Sequence, residues 1–179
     1  MKVSQLFFST ILLSCLISCH KDNNDSTVWH YNGSGDGNID STKNATISFE
    51  IKSNLNVNGD AMLKENTSVL HDLNLNQRGR VVVLTKNETD TVKVEGNTNI
   101  DDTLLIQRGI VVITHDLNIN SKGVLNCSND AQIIVEGSLN QAGTLWGLKR
   151  IKVLKATNIN NKQTTYDNPI PYYSTSLHY

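Results

Sequence analysis

A three-residue motif, in which an asparagine follows leucine or threonine and mostly precedes an apolar residue, recurs at intervals of about twenty residues. The intervals between the central asparagines are 18, 25, 19, 22 and 18 residues, and the six positions are Asn56, Asn74, Asn99, Asn118, Asn140 and Asn158. Alternating runs of three to five residues, bounded by Gly, Asn, Asp and Ser, predict short strands. Such a unit cannot bury its apolar side chains alone, so successive units must stack. The repeat therefore predicts an all-β fold, a single-stranded parallel β-helix (solenoid) of about six rungs.

The intervals between the motifs indicate the kind of solenoid. A left-handed helix built from hexapeptide repeats would keep a strict 18-residue period, and the irregular spacing here favours the right-handed kind. The longest interval contains residues 85–90, a polar segment between two apolar runs, where we expect an outward loop. We predict that residues 45–162 form the solenoid domain, and that residues 19–44 are a tether and N-terminal loop.

The asparagine of each motif should face outward, because its neighbours on either side alternate into the core. Six amides stacked about 4.8 Å apart can hydrogen-bond one another as a ladder, as stacked strands do elsewhere. Alternatively, they form a flat polar array that contacts a polysaccharide. A second asparagine often follows two residues later, and its position at a corner is typical of turn residues: Asn58, Asn76, Asn120 and Asn160.

The N-terminal residues 1–18 have the plan of a secretory signal peptide: a single lysine is followed by a short apolar run. The run ends in Leu16-Ile17-Ser18-Cys19, which resembles the lipobox of bacterial lipoproteins. The resemblance implies cleavage before Cys19, acylation of its thiol, and attachment to the membrane through that lipid. The Lys21-Asp22 pair that follows is similar to signals that send lipoproteins to the outer surface of the outer membrane, although Asn23 and Asn24 interrupt the expected acidic pair.

Charge and composition narrow the classes of partner. The formal net charge is −1 and no basic cluster is present, so we expect no nucleic-acid partner. Cys127 falls at an inward position of a strand, which favours a buried structural thiol over a reactive one. We expect no cofactor and no metal site.

The C-terminal residues 163–179 differ from the repeats, since they contain two prolines and several tyrosines. Aromatic residues gather at both ends of the repeat region, which favours caps over the ends of the solenoid. The alternative is an aromatic platform for a sugar or a partner, formed by Tyr166, Tyr172 and Tyr173. Proline cannot extend a strand ladder, so the tail should leave the stack.

No nucleophile or metal motif of a known enzyme class is found in the sequence. His71 and His115 recur at the same corner two rungs apart, about 10 Å from each other, which is too far to share a proton. We therefore predict no catalytic residue and a non-enzymatic lipoprotein that presents a surface for adhesion, glycan contact or a surface protein. The alternative is a polysaccharide lyase or hydrolase, because such enzymes also use β-helices, and fold alone does not decide function.

Overall fold

The computed structural model describes residues 29–171 of the chain. They form short strands with only two 3-10 segments, Leu148–Arg150 and Lys162–Thr164. None of the described residues belongs to a helix long and apolar enough to cross a membrane. The strands are β1 Gly37–Ile39, β2 Asn44–Ile47, β3 Glu50–Ile51, β4 Leu55–Val57, β5 Asp60–Leu63, β6 Ser68–Val69, β7 Leu73–Leu75, β8 Arg80–Leu84, β9 Thr91–Val94, β10 Thr98–Ile100, β11 Thr103–Ile113, β12 Leu117–Ile119, β13 Val124–Cys127, β14 Ala131–Val135, β15 Leu139–Gln141, β16 Thr144–Trp146, β17 Ile151–Val153, β18 Thr157–Ile159 and β19 Thr165–Tyr166.

Three parallel sheets wrap around one core. Sheet 1 contains β1, β4, β7, β10, β12, β15 and β18 in that order. Sheet 2 contains β2, β5, β8, the first half of β11, β13, β16 and β19, and sheet 3 contains β3, β6, β9, the second half of β11, β14 and β17. Six turns contain a strand from every sheet, and β18 and β19 begin a seventh. This is the predicted parallel β-helix, and its repeat is the predicted rung.

The core is made of the inward residues of all three sheets, stacked in register from turn to turn. In sheet 1 each strand buries its first and third residues in most turns, and the asparagine between them faces outward. The Cys127 thiol lies at an inward position of β13 and is buried, as predicted. Burial raises the pKa of this thiol to about 12.

The solenoid begins earlier than the sequence predicts. β1 and the first residue of β2 lie within residues 19–44, which we expected to be a tether and loop. The apolar alternation over residues 45–51 is divided between two strands, because the chain turns from sheet 2 to sheet 3 at residues 48–49. Phe49 consequently lies outside the core and is exposed, whereas Ile47 is buried.

The connection between sheets 2 and 3 varies in length from turn to turn. The expected loop at residues 85–90 lies between β8 and β9, and most of its residues are exposed. One turn later β11 runs through the same corner without a loop, with a register shift between Ile106 and Arg108. Gly109 adopts a φ of 108° there, a conformation that favours glycine. The 25-residue interval is therefore an insertion at one corner.

The two ends of the stack differ. At the N-terminal end, Trp29 and Tyr31 pack on the core, and the Tyr31 ring stacks on both Trp29 and Phe49. The Trp29 backbone N–H also donates to the carbonyl oxygen of Asn44 at the first edge of sheet 2. These contacts form the predicted aromatic cap. At the other end Leu154 is 55% exposed.

The first residues of the C-terminal segment extend the stack. Thr165 and Tyr166 pair with β16, and the Tyr166 ring stacks on Trp146 with the ring centroids 3.7 Å apart. Residues 167–171 then turn back along the outside of sheet 2. Ile170 reaches Asn126 of β13, two turns earlier, and exchanges two hydrogen bonds of 3.2 Å with its side chain. Residues 167–171 therefore lie against a side of the solenoid, and the rest of the predicted cap lies outside the described residues.

Candidate functional site: the asparagine face

The outer surface of sheet 1, which we call the asparagine face, carries one asparagine from each of its seven strands. From the second strand onward, each side-chain nitrogen Nδ2 donates to the Oδ1 of the asparagine one turn earlier, at 2.7 to 2.9 Å. The ladder starts at Asn38, which the motif search missed, and continues through the six predicted residues. Sheet pairing aligns these residues, because every strand of sheet 1 meets its neighbours at the asparagine position.

The ladder uses only some of the hydrogen-bonding groups of each side-chain amide. An asparagine side chain has two N–H donors and an oxygen with two lone pairs. An internal member, such as Asn99, uses one N–H toward Asn74 and one lone pair toward Asn118. One N–H and one lone pair per turn remain for water or a ligand. The face therefore presents uncharged donors and acceptors at a regular spacing of about 4.8 Å.

A second ladder, which we call the corner ladder, lies at the residue two positions before each of the first six asparagines. The Asp72 carboxylate accepts the backbone N–H of Asn97 at 2.7 Å, and the Asn97 Oδ1 accepts the backbone N–H of Asp116 at 3.1 Å. The same contact is repeated between successive members along the column Asp36, Asn54, Asp72, Asn97, Asp116 and Ser138. Sequence reasoning did not identify this ladder.

The corner ladder alternates acidic and neutral residues. Its carboxylates lie on every second turn, about 10 Å apart, which is close to the Debye length at physiological ionic strength. Their mutual repulsion is therefore small. At Asp36, hydrogen bonds from the Ser53 hydroxyl and the Asn54 backbone N–H lower the pKa of the carboxyl group. The corner thus holds three acids in fixed positions beside the asparagine face.

The residues that precede the corner ladder explain the two histidines. In four successive turns they alternate between histidine and glycine, as His71, Gly96, His115 and Gly137. A Cβ atom on Gly137 would lie 2.4 Å from both the Asp116 side chain and the His115 carbonyl oxygen, so glycine is required there. The His115 Nδ1 donates to the backbone oxygen of Glu95 at 2.8 Å. The recurrence of His-Asp is therefore a feature of corner packing.

No family model, curated protein or solved structure matches this chain. The functional interpretation of the asparagine face therefore depends on the geometry of that face.

The other predicted site residues lie apart from this face. Tyr166 is in β19 on sheet 2, where its ring stacks on Trp146 and the residue is 38% exposed. Cys19, Tyr172 and Tyr173 lie outside the described residues. At the second corner position, the Asn120 Nδ2 donates to Asp101 at 2.8 Å, whereas the backbone N–H groups bond to the preceding turn, in agreement with turn chemistry.

One signal in the sequence could have identified Asn38. The interval from Asn38 to Asn56 is 18 residues, the same as the next interval, but Gly37 replaces the usual leucine or threonine before it. A Cβ on Gly37 would lie 3.3 Å from the Trp29 ring and 3.1 Å from Leu55. The aromatic cap thus occupies the space that a leucine would fill, and this hides the repeat.

A shallow cleft at the corner between sheets 2 and 3 is a concave feature of the described residues with charged walls. It has a volume of about 390 Å³ and is lined by residues that include Glu88, Asp130, Lys149 and Arg150. Both cations already have partners, since Lys149 lies 3.4 Å from Asp167 and Arg150 donates to Asn129. Within residues 29–171, no group of three or more His, Cys, Asp or Glu is placed to hold a metal ion.

Proposed function

We propose that this chain is a lipid-anchored protein of the bacterial outer membrane that uses the asparagine face to contact a neutral glycan, without catalysing a reaction. The observation that carries the proposal is the row of half-used amides, one per turn, along sheet 1. A neutral sugar polymer offers hydroxyl groups as both donors and acceptors, and so complements one free N–H and one free lone pair per turn. The spacing of about 4.8 Å between successive amides is comparable with the length of one sugar ring.

The length and regularity of the face favour an extended ligand over a small one. Small-molecule sites are concave and mostly apolar, whereas this face is a row of amides along seven strands. A polymer that spans several turns adds many weak hydrogen bonds, each worth about 0.5–1.5 kcal/mol net. Weak individual contacts that add along a chain are suited to adhesion. The alternative partner is an extended segment of a surface protein, and a glycan screen distinguishes between the two.

A glycan array probed with the protein tests the ligand class. The diagnostic variant replaces alternate ladder residues, Asn74→Ala with Asn118→Ala, and the matched control is Gln132→Ala, an exposed amide on sheet 3. We expect the double variant to lose at least ten-fold in affinity, and the control to bind like the wild type. Equal binding by both variants, with circular dichroism showing that both are folded at the assay temperature, would exclude the asparagine face. Absence of any bound glycan would leave a protein segment as the partner to test.

The anchor is tested separately, because it depends on Cys19 alone. Cys19→Ala should abolish incorporation of labelled palmitate and release the protein from membrane fractions. Cys15→Ala, four residues earlier, is the matched control and should leave both unchanged. Palmitate incorporation that survives Cys19→Ala would contradict the lipobox interpretation.

One observation favours the alternative, cleavage of an acidic polysaccharide. The charged cleft combines the carboxylates of Glu88 and Asp130 with Lys149 and Arg150, the residue types that a lyase uses for proton abstraction and charge neutralisation. Incubation with acidic polysaccharides, followed by ultraviolet detection of unsaturated products, tests this function. Activity that is lost in Asp130→Asn but kept in the asparagine double variant would place the function in the cleft.

A further inference from the structure

The loop at residues 85–90 borders a second cleft at the corner between sheets 2 and 3, which we call the insertion cleft. It has a volume of about 390 Å³ and is lined by residues of four successive turns. The first loop residues, Thr85 and Lys86, line this cleft, whereas Glu88 and Thr89 line the charged cleft. Within the described residues the two clefts share no lining residue, so they are separate features. Insertions in a solenoid often form its binding surface.

Three cations line the insertion cleft, and strand register explains why they meet. The corner after sheet 2 supplies Lys64 from the second turn, Lys86 from the third and Arg108 from the fourth. Parallel pairing of β5, β8 and β11 stacks these corners one above the other. The register shift in β11 brings Arg108, and not the residue before it, opposite Leu84 of the preceding turn. Among the described residues Glu65 is the only carboxylate that lines the cleft, so three cations and one anion leave a formal charge of +2.

The three cations have no ion-pair partner among the described residues. One oxygen of Glu65 accepts the backbone N–H of Lys86 at 3.1 Å, and this bond holds the loop against the second turn. Lys64 and Arg108 are half-buried. A charge that is partly removed from water is costly unless it is paired. An anion that enters the cleft therefore gains these cations without displacing an existing ion pair.

Arg108 is held in place by contacts within the chain. Its Nε donates to the carbonyl oxygen of Thr85 at 2.9 Å, and the Thr85 backbone N–H donates back to the Arg108 carbonyl oxygen at 3.2 Å. Thr85 is only 1% exposed, so it is a fixed anchor. A guanidinium group has five N–H donors, and this contact uses one of them. The N–H groups on the two terminal nitrogens bond to no described residue, and their planar arrangement matches two oxygens of a carboxylate or sulfate.

We propose that the insertion cleft binds an oxyanion, which is either the carboxylate or sulfate group of an acidic sugar or a free inorganic anion. Arg108 supplies a bidentate contact, and Lys64 and Lys86 supply positive charge on the two preceding turns. A volume of about 390 Å³ is in the range of sites that hold a small organic molecule, so the cleft is large enough for a sugar ring with its anionic group. The site goes beyond neutral glycan contact, because the asparagine face lies on sheet 1 and offers only uncharged groups.

Nuclear magnetic resonance titration of the nitrogen-15-labelled protein tests the site, because the Arg108 Nε–H and the Thr85 amide report on it directly. The probes are glucuronate, glucose 6-sulfate, sodium sulfate and uncharged glucose, all at one ionic strength. We expect the three anions to shift both signals and glucose to leave them unchanged. Tighter binding of the acidic sugars than of sulfate would identify a sugar as the ligand, and equal binding would identify the oxyanion alone. Failure of all three anions to shift these signals would overturn the proposal.

Variants that remove one charge identify the binding group. Arg108→Gln should weaken glucuronate binding about ten-fold or more, since it removes a charge-assisted contact. Arg78→Gln is the matched control, because Arg78 lies in the same Gln-Arg-Gly sequence but is exposed and outside the cleft. It should bind like the wild type.

A second variant keeps the test valid if Arg108→Gln does not fold. Lys86 is exposed in the loop, so Lys86→Gln should leave the fold intact and weaken glucuronate binding about three-fold. Lys122→Gln, at an exposed lysine away from the cleft, is its control. Circular dichroism confirms that each variant is folded. Wild-type affinity in folded Arg108→Gln protein, or in Lys86→Gln where the first variant does not fold, would overturn the proposal.

Discussion

Asn118 donates its side-chain N–H to the Oδ1 of Asn99 at 2.8 Å, and in turn accepts from Asn140 at the same distance. Each asparagine in the interior of the ladder therefore belongs to two hydrogen bonds that run along the stack. Because all the amides donate toward the N-terminal end, one member cannot reverse without breaking both of its bonds. The ladder fixes the orientation of every free N–H on the asparagine face.

Substitution of one internal asparagine of the ladder should lower the free energy of unfolding measurably without preventing folding. Asn118→Ala breaks two ladder bonds and leaves Asn99 and Asn140 with solvent as their replacement partner. At about 1 kcal/mol for each bond, we expect a loss of about 2 kcal/mol in the free energy of unfolding. A denaturant melt measures it. Asn158→Ala, which breaks a single bond at the end of the ladder, should cost about half as much. A cost below that of Asn158→Ala would show that the internal bonds add nothing.

Leu117, the residue before Asn118, should be much more sensitive to substitution. Leu117 is fully buried between Thr98 and Leu139, so Leu117→Asp would place an unpaired charge in the apolar stack. We expect a loss above about 4 kcal/mol, or failure to fold. Leu154→Asp, at an exposed leucine, is the matched control and should change stability by about 0.5 kcal/mol or less. Similar melts for the two variants would contradict the observed inward direction of Leu117.

The period of the motif was sufficient to predict the solenoid, because each rung repeats the alternation that buries Leu117 and exposes Asn118. It could not predict where the solenoid begins, since Gly37 replaces the apolar residue of the motif where Trp29 packs against it. The corner ladder was missed because its members alternate between Asp and Asn, and the common property is an oxygen acceptor. The path of the C-terminal segment depends on a contact between Asn126 and Ile170, which are 44 residues apart, and no local pattern reports it.

A methyl group at the corner should show how tightly successive turns pack. Gly137→Ala brings a Cβ within 2.4 Å of the Asp116 carboxylate and the His115 carbonyl oxygen. Since the second contact is with backbone, a side-chain rotation cannot relieve it. We expect a loss of about 2–3 kcal/mol in a thermal or denaturant melt. Lys155→Ala at the same corner of the last turn, where the residue is exposed, should be nearly neutral. Equal stability of the two variants would show that the turns are free to move apart.

The thiol of Cys127 should be inert in the folded protein. With a pKa of about 12, roughly one molecule in ten thousand carries the thiolate at pH 8. We therefore expect no modification by iodoacetamide at that pH over several hours, and complete modification once denaturant unfolds the chain. Raising the pH should increase the rate about ten-fold per unit below pH 12. Rapid, stoichiometric modification of the folded protein would contradict the buried position of this side chain.

The aromatic cap should control self-association at the N-terminal end. Trp29 stacks on Tyr31 at a centroid distance of 5.7 Å, lies over Gly37, and donates its backbone N–H to the edge of sheet 2. Trp29→Ala would uncover part of the first turn, and an uncovered strand edge recruits another chain. We expect a loss of about 3 kcal/mol and a shift toward larger species on a sizing column. Leu154→Ala, an exposed residue at the other end, should change neither quantity measurably. If Trp29→Ala stays monomeric and melts like the Leu154 variant, the aromatic residues neither stabilise the first turn nor prevent self-association.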